Sequence, residues 1–493
     1  MNMLTTSYVT ASVAMVLATF YLFVRLRLFL TTATFLIVGL LLIDGPAFIS
    51  FTLSSGEPGF LLRLLSGTET WPVHPHPIFA IVSSKVPDLN PVITAMNFSI
   101  AIMYLGIIAG MELTTKLMPA RSAITQIALK NWSTQNLKDE LTNHRVLLAV
   151  IVLVFLAMLF VSIRENHIGT IWRFFSISGD NEARNLFRAR FGSSPNYPYR
   201  VVLGAIAPML VIWGLLSGIV RRSWPLLLAS CLLLCVVMIG NFEVLSKAPI
   251  AFPIFQLLLA AILTVTNRIS SRIVLIGGLA ACLVIYAVVS LVMIFPEGAS
   301  PLVAAYVRVF ESESQSLLEN FAFFPALHPF MWGTNLRPIA MLLGVPFKPS
   351  YSMVAYAWYG NYGVTSPTLF IADAWADFSY AGVLVASIVA GAVCRSIDLI
   401  FLARGKSVAA IAVLCATVWG IVVLMTTALN TALLSGGLLL APAIAALIAP
   451  KSALNTSLFN SGRNYALRVL HRFPNAAEPS LTENNRDERT REY

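Results

Sequence analysis

Charge is scarce in this chain. Asp, Glu, Lys and Arg together make up 11% of its 493 residues, against about 25% in soluble domains. That shortage, with 57% hydrophobic residues, excludes an ordinary soluble enzyme. Cysteine is also sparse. Cys231, Cys235, Cys282, Cys394 and Cys415 all fall inside apolar runs, so neither a disulfide framework nor a zinc site is expected. There is no G-x-x-x-x-G-K-[ST] and no H-E-x-x-H, which removes a P-loop ATPase and a zincin. No acid cluster in a polar segment has the form of a metal-binding D-x-D, and neither metal nor cofactor is expected. No basic stretch and small-residue cleavage site frame the first apolar run, so it reads as a retained span rather than a signal peptide. No repeat of fixed period or inverted repeat is visible. The formal net charge of +10 is not gathered in a soluble basic domain. It lies mostly beside apolar runs, where orientation bias and anionic headgroups account for it, so nucleic acid is not an expected partner.

What the chain has in abundance is continuous apolar sequence. Runs of roughly 20 such residues, each able to cross a bilayer as a helix, recur along it; a β-barrel would alternate instead. The expected fold is an all-α polytopic membrane protein with about eleven spans, at 7–24, 29–52, 92–113, 146–163, 201–219, 224–241, 249–266, 273–295, 376–394, 407–425 and 429–449. Arg25 and Arg27, the group from Lys116 to Arg145, Arg221 and Arg222, Arg268 and Arg272, and Arg395, Arg404 and Lys406 fall in alternate connections. By the positive-inside bias these face the cytoplasm, with the N-terminus outside. Residues 1–450 form one membrane domain, and 451–493 read as a partly disordered cytoplasmic tail. The opposite side carries three long loops, about 53–91, 162–200 and 295–375. Their apolar and aromatic content argues for interfacial or re-entrant helices capping the bundle rather than disorder.

The second of those loops breaks the charge bias. "GDNEARNLFRARFGSSPNYPYR", Gly179 to Arg200, holds four arginines and no lysine. A guanidinium matches phosphate oxygens with a planar fork that an ammonium lacks. On a helix Arg184 and Arg188 share one face, and with Arg190 they could grip a diphosphate; the bland alternative is snorkelling to headgroups. The third loop adds Arg308, Arg337 after the turn "WGTN", and His328 between Leu327 and Pro329. His328 is either a base or a structural histidine, and Glu311, Glu313 and Glu319 are either bases or solvated acids. Tyr351, Tyr356, Trp358, Tyr359 and Tyr362 form an aromatic strip, suited to stacking on sugar rings or to an interfacial belt. Asp373 and Asp377 stand one helical turn apart at the mouth of a span, where acids are costly and ordinarily have a task or a partner. Lys247 either pairs with Glu243 at i,i+4 or holds a phosphate. Asp44, before Gly45 and Pro46, is a minor candidate base.

The arginine-bearing loop, "SKAPIAFPIFQLLLAAIL" (246–263), the long late loop and "TSPTLFIADAWADFSYAGVLVASIVAG" (365–391) together resemble the O-antigen or oligosaccharide repeat-unit polymerases of bacterial surface-polysaccharide synthesis. The resemblance spans about Leu147 to Ile448. The chain departs from it at "DFSYAG", where Ser379 and Tyr380 stand in place of a tighter glycine-containing turn. The resemblance implies a multi-pass inner-membrane glycosyltransferase acting at the periplasmic face, without metal or cofactor. Donor and acceptor would be undecaprenyl-diphosphate-linked oligosaccharides, and a chain-length regulator is a conceivable protein partner. Arg184, Arg188, Arg190 and Arg308 would stabilise the leaving diphosphate. Arg337, Lys247 and Tyr359 would help hold substrate, and His328, Asp373 or Asp377 would activate the acceptor hydroxyl. An O-antigen ligase or related lipid-linked-sugar transferase is the first rival; a flippase for the same lipid is the second, disfavoured by the long loops and few mid-span charges.

Overall fold

The computed structural model describes residues 2–54, 82, 84–139, 144–177, 187, 197–243, 247–270, 277–279, 283, 312–360 and 368–448. These belong to the compact unit Met1–Ala449. The segment read as a tail, 451–493, lies outside the described residues. Every regular element described is a helix, apart from two isolated bridges, Phe29 with Arg268 and Lys138 with Ser407.

In chain order the helices are α1 (Met3–Val24), α2 (Thr32–Ser54), α3 (Asn90–Leu117), α4 (Pro119–Lys130), α5 (His144–Arg164) and α6 (His167–Ser176). Then come α7 (Tyr197–Arg221), with a π turn at Val202–Ile206, α8 (Trp224–Glu243) and α9 (Lys247–Val265). After the next described stretch follow α10 (Ser312–Phe323), α11 (Arg337–Leu342), α12 (Ser350–Tyr359), α13 (Phe370–Phe401), α14 (Val408–Thr426), α15 (Leu429–Leu433) and α16 (Leu440–Ile448).

Seven of these are long and apolar enough to cross a membrane: α1, α3, α5, α7, α8, α13 and α14. The expected count of about eleven spans is not confirmed among the described residues. The expected spans at 29–52 and 249–266 are present as α2 and α9, which contribute the shorter apolar helices Thr32–Ile43 and Phe252–Val265. The expected span at 273–295 lies almost wholly outside the described residues. The expected span at 429–449 is instead two short helices, α15 and α16. The cause is local: "SGG" interrupts it, and Gly437 takes φ +83, a conformation that glycine alone adopts freely.

Apolar sequence all around a helix asks for burial on every side. α14 has it, 89% buried inside the protein, whereas α5 is 22% buried. On α1 and α5 the outward side chains include Val16, Phe20, Leu153 and Phe160. A surface that apolar is stable against hydrocarbon, not water.

α3 and α13 form a close pair because small residues let their backbones meet. A Cβ on Gly110 would lie 2.1 Å from the Ile388 carbonyl oxygen, one on Gly391 2.1 Å from that of Ile107, and one on Gly106 2.8 Å from Ser387 Cβ. Small residues four apart are the usual means of such contact between membrane helices.

At one end of the bundle the short basic connections are laced together. Leu30 N–H donates to Asn267 O (2.6 Å) and Ile269 N–H to Leu28 O (2.9 Å). Lys138 N–H donates to Lys406 O and Val408 N–H to Lys138 O, each 3.0 Å. Asn267 Nδ2 donates to Leu129 O at 2.8 Å, and Arg221 pairs with Asp139. The connections assigned to one side by their charge therefore do meet. Beneath them the buried Asp398 of α13 caps α2: its carboxylate accepts from Thr32 N–H (2.8 Å) and Ala33 N–H (3.0 Å), two donors that a helix start leaves without partners.

Candidate functional site

The described part of the third loop, from 312 to 360, is folded. Its helices α10, α11 and α12 gather around the N-terminal end of α13, the end remote from the laced connections. "SESQSLLENFAF" forms α10 and buries Leu317, Leu318 and Phe321 on one face. Phe321 stacks on Trp375 of α13 with ring centroids 4.5 Å apart.

Burial carries polar groups with it. Glu319, whose alternatives were base or solvated acid, is fully buried. Its Oε1 accepts from the Tyr359 hydroxyl at 2.5 Å and from Gln315 Nε2 at 2.9 Å. Gln315 also donates to the Tyr359 oxygen at 3.0 Å. Burial first, and then the adjoining Glu319 carboxylate, hold the Tyr359 hydroxyl above the ordinary phenol range; a group so placed acts as a donor. Tyr359 is thus tied to α10 by its hydroxyl, and like Tyr351 and Tyr356 on α12 it stays exposed. Lys85, from the described end of the first loop, donates to Ala357 O and lies 5.4 Å from the Trp358 ring centre. Tyr362 lies outside the described residues.

Asp373 and Asp377 come together with the turn "WGTN". Asp377 Oδ1 accepts from Gly333 N–H at 3.0 Å and Asn335 N–H at 3.4 Å, and Met331 N–H donates to Ala376 O at 2.8 Å. Asp373 Oδ1 accepts from Asn335 Nδ2 at 2.9 Å and from the Ser350 hydroxyl. Asn335 Oδ1 accepts in turn from Ser350 N–H at 2.8 Å. Each carboxylate is thus held by more than one donor. The two acids hold the turn and the start of α12 against α13. Asn335 and Ser350 complete this network and were not foreseen; the signal available was the turn sequence itself.

The chain of α13 bends directly below. Phe378 and Ser379 leave helical geometry, Ser379 at φ 54 and ψ −144. This is the place where the sequence lacks the expected glycine-containing turn. The bend brings the start of α13 back over itself: a Cβ on Gly382 would lie 2.1 Å from the Ala374 carbonyl oxygen.

His328 sits on the same platform. Its ring stacks on Phe323 at 5.7 Å and meets Phe324 edge-on at 5.6 Å, and Trp375 Nε1 donates to Phe324 O at 2.9 Å. His328 Nδ1 is 2.6 Å from Pro329 O. A carbonyl only accepts, so Nδ1 carries the hydrogen, and in the neutral ring Nε2 is left as the acceptor. Arg337 opens α11 two residues after Asn335 and is exposed.

Arg184, Arg188, Arg190 and Arg308 lie outside the described residues, and for Lys247 only its place at the start of α9 is described. The same holds for the side chain of Asp44. The second loop opens with α6, whose Ile168, Trp172 and Phe175 are exposed as on a helix lying in a membrane interface. Among the described residues no group of three or more His, Cys, Asp or Glu could hold a metal ion.

The chain matches no protein-family model, no curated protein and no solved structure.

Proposed function

We propose that the protein is a membrane glycosyltransferase that polymerises lipid-diphosphate-linked oligosaccharide repeat units, with undecaprenyl diphosphate as the carrier and the periplasmic face as the site. The observation that carries this reading is the platform at the start of α13. There Asp373 and Asp377 hold a turn followed by Arg337, and the rings of Phe323 and Phe324 pack on His328, whose Nδ1 is engaged by Pro329 O. Support comes also from the resemblance of residues 246–263 and 365–391 to the repeat-unit polymerases.

In this mechanism an acceptor sugar hydroxyl attacks the anomeric carbon of the donor and gives its proton to His328 Nε2. The new C–O bond forms as the bond from that carbon to the lipid diphosphate breaks, and the diphosphate leaves with the electron pair. Arg337 meets the charge that develops there, with Arg308 of the same loop, Arg184, Arg188 and Arg190 of the second loop, and Lys247 at the start of α9. The exposed Tyr351 and Tyr356 offer faces to the sugar rings. Asp373 and Asp377 act by positioning.

The test is complementation of a deletion strain, read as surface polysaccharide on a gel. Wild type restores a ladder. His328→Gln and Arg337→Ala, at normal protein level, leave single-repeat product. A full ladder from both variants removes this platform from the reaction. A deletion strain that lacks even single-repeat product sinks the polymerase reading and favours a flippase.

A further inference from the structure

The laced end of the bundle, far from the platform, contains a pocket that the proposed reaction does not use. Arg25, Arg27, Thr125, Gln126, Lys130 and Arg395 line it, and it is a small cleft that opens to the surface. Three separate parts of the chain supply the cations: the turn after α1, the last turn of α4, and α13.

The local charges do not cancel. Two carboxylates are near, Glu112 and Asp398. Glu112 pairs with Arg25 at 3.1 Å, and Asp398 accepts from the N–H groups of Thr32 and Ala33 while lying close enough to Arg395 to feel its charge, so Arg27 and Lys130 are the pocket cations without a carboxylate among the described residues. Arg268, 5.1 Å from the centre of the Phe29 ring on the pocket wall, adds a further cation.

Two side chains inside the pocket are incompletely satisfied. Arg395 is 8% exposed, and its one hydrogen bond among the described residues runs from Nε to Thr115 Oγ1 at 3.0 Å. Its terminal nitrogens make no hydrogen bond among the described residues and are not sealed from solvent. Thr125 is 1% exposed, and its hydroxyl has no hydrogen-bond partner among the described residues. A buried hydroxyl without a partner is costly. One ligand with several acceptor oxygens and negative charge would satisfy the Thr125 hydroxyl and the free terminal donors of Arg395 together.

We propose that this pocket binds a phosphate group, with Arg395 as the buried fork, Thr125 as a neutral donor, and Arg27 and Lys130 closing over the rim. The cations flank the ends of the apolar helices α1, α3 and α13, so the phosphate belongs to an ester lying at the membrane surface: the headgroup of an anionic phospholipid. The inference rests on the membrane class of the protein and not on the polymerase reading. Bound there, the phosphate would clamp the α1–α2 turn, α4 and α13 together.

Thermal unfolding of the purified full-length protein tests this, in nanodiscs of phosphatidylcholine alone, in nanodiscs with added phosphatidylglycerol, and in the first kind with inorganic phosphate. The expected result is a rise in Tm with phosphatidylglycerol. Arg27→Gln with Lys130→Gln weakens binding about tenfold and abolishes most of the rise. Thr125→Val is the decisive variant. It removes the idle hydroxyl at nearly constant shape, so without ligand its Tm equals or exceeds that of wild type, while its response to phosphatidylglycerol shrinks. An equal rise with inorganic phosphate retains the phosphate site and overturns the lipid as its source. No rise with either phosphate source, or a rise unchanged in both variants, overturns the pocket. Arg395→Gln is a secondary probe, because a buried substitution can reduce folding without informing on binding.

Discussion

Ser379 is a residue whose conformation its own chemistry opposes. At φ 54 and ψ −144 its Cβ is crowded, and non-glycine residues in such regions cost about 1–3 kcal/mol. Ser379→Gly is therefore expected to raise the thermal midpoint or leave it unchanged in detergent, with the ladder intact; a clear fall in Tm would show that the serine hydroxyl holds the bend. Gly382 is the reverse case. Its missing Cβ is filled by the Ala374 carbonyl oxygen 2.1 Å away, and a backbone oxygen in a bend cannot step aside. Gly382→Ala should open the bend, release Asp377 from Gly333 N–H, and remove activity while leaving the bundle folded. Normal activity in that variant would separate the bend from the reaction.

Among elements, the pairing of α3 with α13 and the cap on α2 are the points of highest stress. Gly110→Val puts a branched side chain where the Ile388 carbonyl already stands at 2.1 Å from a simple Cβ. Overpacking of this kind costs about 1–3 kcal/mol or more, and a sharply reduced yield of monodisperse protein is expected. Asp398→Ala leaves Thr32 and Ala33 N–H buried without their acceptor. Loss of a cap costs about 0.5–2 kcal/mol and burial adds to that, so the Tm should fall by several degrees, with Asp398→Asn falling less. Both effects should appear as stability changes, measurable without any assay of function.

For the whole molecule, the end with the laced basic connections and the end with the folded third loop lie at opposite ends of α13. The charge bias assigns the first to the cytoplasm. In a background freed of native cysteines, a membrane-impermeant thiol reagent applied to intact cells should label Lys348→Cys, on the third loop. It should label Lys116→Cys, at the end of α3, only after lysis. Both positions are exposed. The opposite pattern would invert the orientation and move the proposed chemistry to the cytoplasmic face.

Some of this was legible in the residues alone. Scarce charge and long apolar runs determine an all-helical membrane protein, because backbone polar groups in hydrocarbon must be satisfied within each segment. The grouping of Arg25, Arg268 and Lys406 on one side was readable from charge, and their connections do meet. The importance of Asp373 and Asp377 was readable from their position, since an acid at the mouth of a span needs a partner. Who that partner is was not readable. Asn335 and Ser350 lie 38 and 23 residues from Asp373, and no local period joins them. The fate of Glu319 depended on packing too. Leu318 and Asn320 flank it and decide nothing, and only the docking of α10 against α12 and α13 takes its carboxylate from water to Tyr359. The same holds for 429–449, apolar enough for a span, where one glycine conformation broke a helix that hydropathy alone would continue. Composition settles which solvent each segment prefers; which polar groups meet is settled when distant segments pack, because only then does an unsatisfied donor or acid find its partner.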